Sequence, residues 1–169
     1  MHLSGIHFES LVDGDGVRCT IFVSGCKHGC KGCHNLCTHS FTAGAYFDDT
    51  LKSRIINYLL ETPYISGITF SGGDPMYSAK EVLAFLYELK NTKGLEDKNY
   101  WLYTGFLFEE LLENREQYEL LKELDVIVDG KYVHSLRDTT LRFRGSSNQR
   151  IIDVQKSIKS GSVITLYDD

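Results

Sequence analysis

Three cysteines, Cys26, Cys30 and Cys33, stand with three and then two residues between them in the run GCKHGCKGCHN at 25–35. No regular helix or strand puts three thiols at that spacing on one face. The spacing suits a loop wrapped around something, and Gly29 and Gly32 let its backbone come close or take positive φ. Thiolates so near one another repel unless a metal neutralises them, so a metal or iron–sulfur centre is the first chemistry the stretch offers. A disulfide cluster is the bland alternative, but nothing in the chain points to secretion. Zinc would take a fourth ligand from Cys37, His28, His34 or His39, and structural zinc sites more often use two separated pairs. A ferredoxin-like run would add Cys37. That pattern opens with two intervening residues and wants a proline after its last cysteine, where Thr38 stands. The residues favour a three-thiolate cluster over zinc. Three protein ligands on a four-iron cluster leave one iron open, which reaction chemistry needs and a structural site avoids.

The elements that must position this loop read as alternating strands and helices. Residues 13–16, DGDG, form a turn. Val17 to Ser24 is β-branched and apolar, a strand ended by Gly25, and Cys19 inside it reads as a small buried residue. Residues 38–49 are polar and irregular. Thr50 to Glu61 has helical spacing, with Pro63 beyond its end. Gly67 to Ser71 is a second strand, followed by Gly72-Gly73-Asp74-Pro75. Ser78 to Lys90 is a second helix, with Ser78 as its cap and Glu81 three residues on. Tyr100 to Thr104 is a third strand ended by Gly105, Phe108 to Leu124 is helical in one or two pieces, and Asp125 to Asp129 is a fourth strand ended by Gly130. Residues 151–154 and 163–166 are further strand candidates. This alternation predicts an α/β fold with a mostly parallel sheet and sites at the carboxyl ends of its strands. A full eightfold barrel takes about 250 residues. A chain of 169 builds only part of one, open on one side and in need of a cover.

Composition bounds the rest. Apolar residues make up 42% and charged residues 24%, as in a soluble globular protein, and 169 residues suffice for a single domain, 1–169. The formal net charge of −5 argues against general nucleic-acid binding and against an anionic membrane surface. No apolar run approaches a membrane span, and the opening MHLSGIHFESLVDGDG lacks the basic-then-apolar pattern of a secretory signal. The expected compartment is the cytoplasm, with the five cysteines reduced or metal-bound.

The CxxxCxxC run directly after a strand ending in glycine resembles the signature of the radical S-adenosylmethionine (SAM) enzymes. The resemblance implies a partial, open β/α barrel of the radical SAM type. It implies that Cys26, Cys30 and Cys33 hold one 4Fe-4S cluster and that the amine and carboxylate of SAM chelate the fourth iron. One electron then cleaves SAM to methionine and a 5′-deoxyadenosyl radical. SAM contacts are implied for Gly32, Cys33, His34 and Asn35 on the cysteine loop, and for Gly72, Gly73 and Asp74 after the second strand. The residue before the third cysteine is often aromatic in the superfamily and contacts adenine; here it is Gly32, leaving stacking or hydrogen bonding to His34 or Asn35. The usual second motif is Gly-Gly-Glu, and Asp74 is one methylene shorter. A valine at Gly73 is expected to weaken SAM binding and spare the cluster, because a side chain would stand where the ligand approaches.

The stretch DGDGVRCTIFVSGCKHGCKGCHN further resembles the opening of glycyl-radical-enzyme activases, with Asp15 in place of their usual proline. SGGDP at 71–75, WLYTG at 101–105, DVIVDGKYV at 125–133 and RGSSNQRIID at 144–153 are similar to the activating proteins of anaerobic ribonucleoside-triphosphate reductases. That family resemblance runs from residue 13 to about 154. It implies a glycyl radical made on the reductase large subunit, which would be protein substrate and hetero-oligomeric partner, and a low-potential electron donor such as flavodoxin. The rival readings are an activase of another glycyl radical enzyme, such as pyruvate formate-lyase, and a zinc-binding interaction module. Arg142, Arg144 and Arg150 make a compact basic stretch, read as a grip on the SAM carboxylate or on the partner protein.

Overall fold

The computed structural model describes residues 1–167. Its strands are β1 (His2–Ser10), β2 (Arg18–Val23), β3 (Ala45–Tyr46), β4 (Gly67–Gly72), β5 (Asn99–Tyr103), β6 (Val126–Asp129) and β7 (Arg150–Asp153). Its α-helices are α1 (Asp49–Glu61), α2 (Ala79–Lys90), α3 (Phe108–Glu113), α4 (Arg115–Leu121) and α5 (Val154–Ser160). The strands form one sheet in the order β3-β1-β2-β4-β5-β6-β7, and its two edges do not meet. The pairs β2–β4, β4–β5 and β5–β6 are parallel, while β1–β2, β1–β3 and β6–β7 are antiparallel. Helical crossovers return the chain to the same edge of the central strands, so four strand ends open together.

The two faces of this sheet differ in kind. Cys19, Ile21 and Val23 of β2, Ile68 and Phe70 of β4, and Leu102 of β5 point to the face where α1 and α2 bring Ile55, Leu59, Val82, Phe85 and Leu86. This is the main core. The alternate residues face the other way, and only a smaller apolar group gathers there, with Trp101, Val126, Val128 and Ile151 at its centre. Arg18 is fully buried on that second face, its guanidinium 5.2 Å from the Trp101 ring. It donates to Thr69 Oγ1 at 2.6 Å, to Asn99 Oδ1 at 2.7 Å and to the Ile68 carbonyl at 2.9 Å. Burial lowers its pKa to about 10, with Tyr103 and nearby aspartates opposing the shift. The side chain closes the amino-end floor of the face whose other end carries the cleft.

Several expectations need correction. Residues 2–10, to which the sequence reading assigns no element, form β1, with register shifts at Leu3/Gly5 and His7/Ser10 that break a period of two. Within residues 38–49, described above as irregular, β3 adds a two-residue edge strand. Ser78 gives no side-chain cap to α2 among the described residues; Asp74 instead caps the 3-10 turn Pro75–Ser78 that leads into it. Val154 starts α5 rather than ending a strand, and 163–166 contributes one bridge, Ile152 with Thr165. The stretch 108–124 does break in two, at Asn114, whose Oδ1 accepts from the Glu116 and Gln117 amides.

Candidate functional site

Strand β2 runs out at Val23 and delivers the chain into the cysteine loop. Gly25 takes φ 108, and a Cβ there would lie 2.2 Å from the Phe41 ring, so only glycine fits. Its amide donates to the Thr38 carbonyl at 2.7 Å and the Cys26 amide to the His39 carbonyl at 3.1 Å, so the loop folds back beside its own start. A 3-10 turn at Leu36–Thr38 makes the return, with Thr38 Oγ1 donating to the Asn35 carbonyl at 2.7 Å. On its other side the loop is tied to the end of β4. The Gly73 amide donates to the Val23 carbonyl at 2.8 Å and the Asp74 amide to the Gly25 carbonyl at 2.9 Å.

The loop turns three half-buried thiols, Cys26, Cys30 and Cys33, toward one cleft of about 770 Å³ at the carboxyl ends of the parallel strands. Cys19 is buried beneath α1 and α2, where desolvation pushes its thiol up to about 12, and Cys37 is exposed. The Cys26 thiol is also pushed up, by burial first. A hydrogen bond from the His28 backbone amide opposes this, while negative charge on Asp74, Cys30 and Cys33 adds to it. Thiolates gathered this way need a cation. His39 Nε2 lies 3.4 Å from Cys33 Sγ. Among the described residues no three His, Cys, Asp or Glu side chains gather about one point as a single-ion site would require. A four-iron cluster spreads its ligands over separate irons, and three thiols on one glycine-bearing loop at a roomy cleft fit that donor set.

Around the same cleft stand His34 and Asn35, with Gly72 and Gly73 from the end of β4. Asn35 Nδ2 reaches the Gly72 carbonyl at 3.4 Å. Gly32 and Asp74 are not among the described lining residues. Gly32 faces His134, whose Nδ1 would be 2.7 Å from a Cβ on it. Asp74 is fully buried behind the wall, its carboxylate held by other protein groups. Gly73 also needs a different account from the one its motif gave. A Cβ there would meet the Gly25 carbonyl at 2.5 Å and the Thr38 carbonyl at 2.9 Å, so a side chain strikes the cysteine loop before it reaches the cleft.

The opposite wall is the segment from Gly130 to Gln149. Arg137, Arg142 and Arg144 line the cleft from it, with Tyr132. Arg137 escaped the sequence reading because it stands apart from the RGSSNQR run. Arg150 faces elsewhere: it donates to Asp129 Oδ1 at 3.0 Å and to both Glu109 oxygens, and these bonds raise its pKa further. The intervening GSSNQ residues knit the segment together. Gln149 Oε1 accepts from the Gly145 amide at 2.9 Å and its Nε2 donates to the Gly130 carbonyl at 3.0 Å. Asn148 Nδ2 donates to the Lys131 carbonyl at 2.9 Å, and Ser146 Oγ accepts from the Val133 amide at 3.1 Å. The Arg142 guanidinium lies 4.8 Å from the Tyr167 ring.

Residues 12–152 match the family described as a 4Fe-4S single cluster domain. The chain is 42% identical over 144 residues to the anaerobic ribonucleoside-triphosphate reductase-activating protein of Haemophilus influenzae, an alignment covering 83% of this chain and 90% of that protein. It is 39% identical over 142 residues to the protein of the same name from Pasteurella multocida, with 83% and 90% covered. Against the one from Enterobacteria phage T4 the identity is 37% over 152 residues, with 89% and 93% covered.

Proposed function

Because this chain belongs to the family of anaerobic ribonucleoside-triphosphate reductase-activating proteins, we propose that it activates such a reductase as a radical SAM enzyme, making a glycyl radical on the large subunit. When bound, the cluster would supply the electron for reductive cleavage of SAM, and the resulting radical chemistry would remove a Cα hydrogen from a glycine of the partner. The protein's own work is to bind, orient and exclude water. Cys26, Cys30 and Cys33 hold the cluster. Gly72 and Gly73, with His34 and Asn35, form the edge against which SAM lies, and Gly32 shapes the backbone before Cys33. Arg137, Arg142 and Arg144 set positive charge across the cleft, where a carboxylate or an acidic partner segment is drawn in. The reading takes the open sheet as a partial barrel of the radical SAM type, a single domain over 1–169 whose open side the reductase covers. It places the protein in the cytoplasm with a low-potential donor such as flavodoxin. Among the described residues no helix is long and apolar enough to cross a membrane.

The observation that carries this reading is the meeting of three thiols and the Gly72-Gly73 edge at one cleft, on the carboxyl ends of the parallel strands. Anaerobic reconstitution with iron and sulfide tests it. The expected product is a brown protein with four irons per chain that, given reductant and SAM, yields 5′-deoxyadenosine. A colourless protein that binds zinc and leaves SAM intact would refute the reading.

A further inference from the structure

We propose that His28 and Asp74 are a positioning pair that holds the Cys26–Cys30 segment in place for its cluster. The inference rests on the reading above that the three cysteines carry that cluster. Asp74 Oδ2 lies 2.6 Å from His28 Nε2 and also accepts from Thr104 Oγ1 and from the Gly105 amide, each at 2.9 Å. Its Oδ1 accepts from the Met76 amide at 2.9 Å. Three of these partners thus converge on Oδ2 and one on Oδ1, all of them protein groups. The side chain is fully buried and does not line the cleft, so it presents no surface to a ligand ammonium there.

What the carboxylate does hold is the middle of the cysteine loop. His28 sits between the first two cysteines with only 6% of its side chain exposed. Its ring packs edge-on against Phe106 at 4.7 Å and near Tyr77 at 5.3 Å. A carboxylate only accepts, so Nε2 carries the proton of this bond. His28 stands two residues after Cys26 and two before Cys30. Fixing the ring thus fixes the stretch of backbone between two cluster ligands. Gly105 belongs to the same device: a Cβ there would stand 2.5 Å from His28 Cδ2, so the ring lies flush on the end of β5 only because that residue is glycine. The short Asp74 follows too. A glutamate's extra methylene would carry its carboxylate past these donors, whereas aspartate ends where they converge. One buried carboxylate ties the loop after β2 to the ends of β4 and β5.

The test uses the full-length reconstituted protein and follows iron release to a chelator under anaerobic conditions. His28→Phe keeps the ring packing and removes the donor. His28→Gln puts an amide N–H near the position of Nε2. Asp74→Ser keeps an acceptor for the Met76 amide but is too short to reach His28. The expected result is iron release about tenfold or more faster in His28→Phe and Asp74→Ser. His28→Gln should stay within about twofold of wild type by the same measure of ligand support, and all three metal-free chains should keep the wild-type circular dichroism. If His28→Phe does not fold, Asp74→Ser against His28→Gln carries the same comparison. Wild-type release rates in His28→Phe or Asp74→Ser would overturn the pair, as would a His28→Gln variant no better than His28→Phe. A wild-type chain that takes up no cluster would overturn both this inference and the reading beneath it.

Discussion

The cleft has two unlike walls. Besides the Asp74–His28 tie, the cysteine wall is bound by backbone: amides of Gly25, Cys26, Gly73 and Asp74 donate to carbonyls of neighbouring strand ends and of the returning loop. The basic wall has backbone bonds within itself, such as Ser147 to Leu136 and Asp138 to Gly145, and adds side-chain ties, with Ser146, Asn148 and Gln149 stitching the 137–149 segment to Gly130, Lys131 and Val133. Backbone ties to a sheet leave little room for adjustment, whereas side-chain stitches can be undone one at a time. The wall with the three thiols is tied to the strand ends by the first kind of bond. The wall that carries positive charge depends more on the second kind.

The comparison breaks most sharply at the thiols. Alanine at Cys26, Cys30 or Cys33 should abolish the cluster and SAM cleavage together, while alanine at exposed Cys37 should keep both, read by iron content and 5′-deoxyadenosine yield. Next comes Gly73→Val. Its side chain would collide with two carbonyls of the cysteine loop, so iron content should fall along with SAM binding. Full iron content with weakened SAM would instead mean that the wall yields, contrary to the contrast drawn here. On the basic wall, Gln149→Ala removes an acceptor shared by two amides and a donor to Gly130. It should cost about 1–3 kcal/mol, speed amide exchange in 130–149 and weaken SAM binding at unchanged iron content. The smallest effect belongs to Glu109. The hydrogen bond from Arg150 lowers its pKa, so its contribution is full above the ordinary carboxylate value of 4.5 and is lost as pH falls through the lower folded value. With 55% of that side chain exposed, screening keeps the pair under about 1 kcal/mol. Glu109→Gln should lower the melting temperature slightly at pH 8, leave it unchanged below the folded pKa of Glu109, and so flatten the acid limb.

The same contrast explains what the residues disclose. The cysteine wall is legible because its chemistry is carried by residue type and spacing: three thiols, the glycines among them, and a second glycine pair after the next parallel strand. The central strands and helices are legible because burial under α1 and α2 imposes apolar runs and helical stripes. The basic wall is opaque. Ser146, Asn148 and Gln149 form their stitches across 13 to 19 residues of chain, and no local pattern marks such partners. Arg150 reads like Arg142 and Arg144, yet Asp129 and Glu109 hold it off the cleft. Asp74 reads like a ligand contact because it follows two glycines; only the positions of Thr104, Gly105 and His28 reveal that its carboxylate faces inward. The strand β1 was hidden by its own register shifts.

The account turns on activation of a reductase, and the most direct measurement counts radicals. The reconstituted protein is mixed anaerobically with the large subunit of the anaerobic ribonucleotide reductase from the same organism, reductant and SAM. Electron paramagnetic resonance then measures the glycyl radical while chromatography measures the SAM consumed. The account expects a glycyl signal that rises in step with SAM consumption and is absent when Cys30 is alanine. SAM consumed with no radical on the reductase, or a radical formed equally by the Cys30→Ala variant, would contradict it.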